Sequence, residues 1–184
     1  MSPTSLTKIL EDKEREKMPA GYQQDYIHEL KGYFGQDARR IAHALKVLAY
    51  AEKIMSEQPL TDCDRKIVTI AAILHDIGIK NAEIKYGSAQ PRYQELEGPG
   101  VAAQMMKKYQ EPAEIRERVC YIIGGHHTAE KNDGLDFQII WEADLLVNIA
   151  EEGWAKDKDR VKRIIAKHFK TAAGIDIANR TYLA

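Results

Sequence analysis

With 184 residues, 44% of them hydrophobic, the chain has enough apolar material for one sizeable core and is most simply a single domain. Lysines and arginines number 27 against 28 acidic residues, a formal net charge of -1, so there is no basic excess with which to hold a nucleic-acid backbone. Only Cys63 and Cys120 are present, not at metal-motif spacing, and no stretch has membrane-spanning character, so a cytoplasmic protein without nucleic-acid or membrane partners is expected.

In chain order, Ser5 to Lys17 places Leu6, Ile9 and Leu10 on one face of a charged amphipathic helix without signal-peptide character. Pro19 and Gly21 end it, a short helix is expected around Tyr22 to Leu30 with His28 at the surface, and Gly32 and Gly35 close that segment. QDARRIAHALKVLAYAEKIM then repeats Ile41, Ala44, Leu45, Leu48, Ala51, Ile54 and Met55 at helical spacing. His43 lies beside this stripe, with Arg39 and Arg40 one turn before it.

Pro59 and the Thr61 to Asp64 segment predict a turn and N-cap into a helix from about Asp62 to Asp76, with Ile67, Ile70, Ala71, Ile73 and Leu74 inward. That helix ends in AAILHDIGIK, so His75 and Asp76 fall at its inner end and Gly78 lets the chain leave. A lone carboxylate there would cost several kcal/mol unless paired or ligated. NAEIKYGSAQPRYQELEGPG, with its glycines and prolines, reads as a long connection with one short helical turn, a lid or substrate loop.

Val101 to Tyr109 resumes helix, and Pro112 opens another that runs through Ile115, Val119, Ile122 and Ile123 to Gly124 and Gly125. His126 and His127 follow at once, where the glycines allow the backbone close to a site. After the NDGLD turn, DFQIIWEADLLVNIAEEG predicts a nearly all-apolar central helix interrupted by Asp144, with Asn148 one turn later. Asp157 to Thr171 and Gly174 to Ala184 complete the pattern as two further helices, Phe169 being packed, and no repeat or convincing strand is present.

His43, His75, Asp76 and Asp144 thus stand on three predicted helices. Imidazoles and carboxylates suit Mn, Fe, Co, Ni, Zn or Mg, and facing helices of a bundle can converge on one ion. The absence of thiolate ligands argues against a closed structural zinc site.

The order His, then His-Asp, then Asp, carried by RRIAHALKVLAYAEKI, AAILHDIGIK and IIWEADLLVNI, resembles the HD-domain superfamily. Its members are mostly metal-dependent phosphohydrolases, and the resemblance implies an all-α, single-domain helical bundle with a central metal site. The ligand-bearing core would span about residues 36–152 between flanking N- and C-terminal helices, with His43, His75, Asp76 and Asp144 as metal ligands. A second metal, as in some members, would use His126 or His127 with Gln94, Glu95 or Glu97. Subfamily marks are missing: Ile79 and Lys80 stand where a Glu-Asp pair or a following Glu would mark known substrates, and there is no GYP.

The implied reaction is hydrolysis of a phosphorylated small molecule, a nucleotide or other phosphoester, by a water that the divalent ion activates. Asp76 and Lys80 would be the catalytic residues, and Lys80, Arg39 and Arg40 would hold the phosphate. Two alternatives resemble the pattern as well: a di-iron oxygenase cleaving a small polyol or phosphonate, and a non-catalytic nucleotide sensor.

Overall fold

Nine α-helices make up the regular structure of residues 21–184, the part of the chain that the computed structural model describes, together with single 3-10 turns at Ala129–Lys131 and Trp154–Lys156. The fold is all-α, and no strand occurs among the described residues. The amphipathic segment expected over Ser5 to Lys17 lies outside them.

Helix α1 (Tyr22–Phe34) runs on through Gly32 and stops at Gly35, whose φ of 60° suits a residue without a side chain. Asp37 then caps α2 (Ala38–Ser56) by accepting the Arg40 amide at 3.1 Å. Thr61 and Asp64 form a reciprocal capping box at the start of α3 (Asp62–Leu74), each side chain accepting the other's amide at 3.1 Å. The helix stops at Leu74 rather than Asp76, so His75 and Asp76 fall in the turn that closes it.

The expected long connection after Lys80 is instead two helices, α4 (Ile79–Tyr86) and α5 (Pro91–Lys108). Pro91 opens α5 at its first position, where its missing amide hydrogen costs nothing, while Gly98, Pro99 and Gly100 are carried inside the helix. Tertiary contact decides this against local propensity. A Cβ on Gly78 would stand 2.6 Å from the Gly98 amide nitrogen, and one on Gly98 would stand 2.6 Å from Ile123 Cγ2. The two glycines let α5 cross directly over the turn that carries His75 and Asp76, with α6 behind it.

Pro112 precedes α6 (Ala113–Ile123), and α7 (Leu135–Glu151), α8 (Lys158–His168) and α9 (Ala172–Tyr182) follow. Helices α2, α3 and α7 form the centre, where Val47, Ile54, Ile70, Leu74, Ile139 and Leu146 are all buried. Burying a side chain of that size contributes roughly 1.5–3 kcal/mol. The C-terminal helices are fastened by a carboxylate inside the core: Glu142 of α7 accepts from Gln138 Nε2 at 2.7 Å and from the Lys170 and Thr171 amides at 2.6 and 2.9 Å. With its lone pairs so engaged, the fully buried Glu142 is a joint rather than a defect.

Candidate metal centre

Two histidines are aimed by the ends of their own helices. The last carbonyls of a helix lack an intrahelical partner, and His75 Nδ1 lies 2.9 Å from Ala72 O at the end of α3. His126 repeats the device at the end of α6, its Nδ1 lying 2.8 Å from Ile123 O. A ring nitrogen next to a carbonyl must carry the proton, so in both rings Nε2 presents its lone pair inward. His43 sits within α2, where the local carbonyls already serve the helix, and its Nδ1 meets Glu151 Oε2 at 3.1 Å from the last residue of α7. Asn148 Nδ2 donates to Asp144 Oδ2 at 2.9 Å and leaves Oδ1 facing inward.

These atoms converge. His43 Nε2 lies 3.1 Å from Asp144 Oδ1, 3.3 Å from His75 Nε2 and 3.6 Å from Asp76 Oδ2. His75 Nε2 is 3.6 Å from Asp76 Oδ2 and 3.7 Å from Asp144 Oδ1. The other oxygen of Asp76, Oδ1, faces His126 Nε2 at 3.4 Å. Two groups of donors result, His43 with His75 and Asp144, and Asp76 with His126 and His127, each with its ligand atoms within 4.8 Å of one another. Asp76 turns one oxygen toward each group.

The donors fit a divalent cation. Lone pairs face lone pairs, and His126 Nε2 is buried without a hydrogen-bond partner among the described residues. Burial alone would lower the His43 pKa, but Asp144, Asp76 and Glu151 carry it up to about 9, so this corner of the protein attracts positive charge. Burial holds His75 below the ordinary imidazole value, in the neutral form that ligates metal. Burial would raise Asp76, yet His75, His126 and His43 keep its carboxyl well below the usual range, and Asp144 is lowered in the same way by His43 and His75. Against the effect of burial, Asp76 likewise raises His126, so both donor groups draw positive charge, which a proton on each of these rings or a cation in each group would supply.

A cleft of about 520 Å³ opens onto these atoms, lined by Arg39, Arg40, Asp76, Gln94, His127 and Asn148 among others. Arg40 is held by Asp37 at 2.9 Å and Glu83 at 2.6 Å, while Arg39 makes no ion pair among the described residues. Lys80 is not in the lining: its ammonium donates to Tyr33 O at 2.7 Å, because the first turn of α4 directs it to the carbonyl end of α1. Glu97 is also directed elsewhere, to Lys85 Nζ at 2.5 Å and Tyr86 OH at 2.9 Å. Gln94 and Glu95 reach the His126–His127 segment, Gln94 Oε1 lying 3.2 Å from His127 Nε2 and Glu95 Oε1 accepting the His127 amide at 3.0 Å.

Sequence reasoning missed Glu151. The available signal was its spacing, since Asp144, Asn148 and Glu151 recur at four and three residues and therefore share one face of α7.

An all-helical domain whose central helices bring histidines and aspartates to a buried, open-sided cluster is a helical domain built around side chains that could hold a metal ion. The family model for the HD domain matches residues 40–168, and the chain belongs to that family, whose members are in general metal-dependent hydrolases. No curated protein and no solved structure matches the chain.

Proposed function

We propose that the protein hydrolyses a small phosphoester using one or two divalent cations, held by His43, His75 and Asp144 and by Asp76, His126 and His127. The convergence of inward lone pairs beneath an open cleft carries this reading. A cation bound there supplies Lewis-acid polarisation of a phosphoryl oxygen and makes water acidic.

The chain's own residues do the rest. Asp76, turned to both donor groups, keeps them in one unit. Arg39, the lining cation without an ion pair among the described residues, offers a planar fork to two phosphate oxygens. Asn148 and Gln94 line the same walls, and among the described lining residues only Ile79 and Ala89 are apolar. Such walls suit a hydroxylated phosphoester better than a nucleotide, whose base gains most from an aromatic or apolar platform.

A phosphatase screen of sugar phosphates, polyol phosphates and nucleotides with added Mn, Co, Ni or Mg tests the proposal. Metal-dependent phosphate release, fastest on a polyol or sugar phosphate, is the expected result. No release from any ester with any metal would overturn it. The two donor groups, with four histidines between them, also favour a second reading, a di-iron oxygenase. Tight iron with oxygen uptake on a polyol or phosphonate, and no phosphatase activity, would replace the first reading by the second.

A further inference from the structure

The two helix-end histidines need no distant partner, but His43 does. We propose that Glu151 is a positioning residue for metal binding, acting through His43: it accepts a hydrogen bond from Nδ1–H, fixes the ring tautomer and aims Nε2 at the cluster. The inference rests on the metal reading above.

Four observations carry it. Glu151 Oε2 lies 3.1 Å from His43 Nδ1, while the opposite ring nitrogen lies 3.1 Å from Asp144 Oδ1. The second oxygen of Glu151 accepts from Lys46 Nζ at 2.9 Å, and Lys46 stands one turn after His43 on α2. With one oxygen on each, the carboxylate cannot rotate without losing a partner.

The third observation is electrostatic. Glu151 is the last residue of α7, Glu152 follows it, and the last turn of that helix holds no basic residue. An anion at a helix C-terminus is repelled by the helix dipole. The site is thus unfavourable for Glu151 within its own helix and, among the described residues, is compensated across the interface by His43 and Lys46 of α2.

The fourth is that neighbouring Asn148 performs the matching task for Asp144. One face of α7 therefore carries a ligand and the groups that orient two ligands, on α7 itself and on α2. Carboxylates that accept from a ligating imidazole hold the ring and raise its basicity, and losing one typically costs about 10- to 100-fold in metal affinity.

Calorimetric titration of the full chain with Mn²⁺ alone tests this, using wild type, Glu151→Ala, Glu151→Gln, Lys46→Ala and His43→Ala, with a thermal melt of each metal-free protein. Glu151→Ala is expected to bind Mn²⁺ about 10- to 100-fold more weakly. Glu151→Gln keeps an acceptor for Nδ1 and should recover most of that loss. Lys46→Ala, which frees one oxygen of Glu151 but leaves its bond to His43, should lose clearly less than Glu151→Ala, and every metal-free variant should still melt in one cooperative transition.

Unchanged affinity in Glu151→Ala, alongside lost affinity in His43→Ala, would overturn the inference and leave the metal reading standing. An equal loss in Lys46→Ala would also overturn it, by assigning the effect to the tether between α2 and α7. Wild type that takes up no Mn²⁺, Co²⁺ or Fe²⁺ would overturn the metal reading and the inference together.

Discussion

The two halves of the candidate centre are built by different means. At the ends of α3 and α6, His75 and His126 are oriented by carbonyls three residues earlier in the chain, Ala72 O and Ile123 O. Between α2 and α7, His43 and Asp144 are oriented by side chains, and the partner of His43 lies 108 residues away. The first half is fixed as soon as each helix ends, because the orienting group is backbone. The second half exists only when two helices pack in register, and distant substitutions can undo it.

The largest expected effect comes from removing a ligand on either side. His75→Ala and Asp144→Ala should each lose bound metal by elemental analysis, and metal-dependent turnover should fall to the level without added metal. Each should also lose the rise in melting temperature that metal confers on wild type, since binding contributes folding free energy. Retention of full metal in both variants would remove the basis for treating the halves as one site.

Next in size is the cation at the mouth of the cleft. Arg39→Ala should lower turnover by roughly a hundred- to a thousandfold, the loss of about 2.7–4 kcal/mol typical of one preorganised contact to developing charge. Lys80→Ala should change turnover less than about threefold, because its ammonium is engaged by Tyr33 O outside the cleft. The reverse ranking would return the phosphate role to Lys80.

A third substitution tests the local half through backbone packing. Gly78→Ala brings a methyl to 2.6 Å from the Gly98 amide nitrogen and forces α5 off the His75–Asp76 turn. Overpacking of this kind costs about 1–3 kcal/mol, read as a lowered denaturation midpoint. A midpoint equal to wild type would mean that α5 is not seated on that turn.

The smallest effect is a surface one. Arg118 joins α6 to the start of α7, bonding Asp136 at 2.6 Å and Asp133 at 2.7 Å. Arg118 holds the exposed Asp133 carboxyl below its ordinary value. A carboxyl depressed on folding contributes stability present above its unfolded pKa of about 3.9, and loses it as pH falls through the lower folded value. Asp133→Asn should cost less than about 1 kcal/mol at neutral pH, and the difference from wild type should shrink in acid. A pH-independent difference would locate its origin elsewhere.

Much of the fold was legible. Apolar spacing predicts α2, α3 and α7, Thr61 with Asp64 marks an N-terminus, and the HD pattern picks out His43, His75, Asp76 and Asp144, which the structure brings together. The stretch after Lys80 reads as a connection because glycines and prolines normally break helices, whereas in the structure Gly98 is required inside one for close packing. Lys80 and Glu97 engage partners away from the donor groups, because a long side chain can reach several partners and packing decides which is near.

What the sequence alone determined is whatever acts within about a turn of helix: helical periods, caps, and a His three residues beyond a carbonyl at a helix end. Tertiary structure decided the rest. It set the crossing of α5 over Gly78, the diversion of Lys80 to α1, and the meeting of Glu151 with His43. The reason is range: a hydrogen bond reaches about 3 Å, and groups 108 residues apart come that close only when α2 and α7 pack with a particular register and rotation.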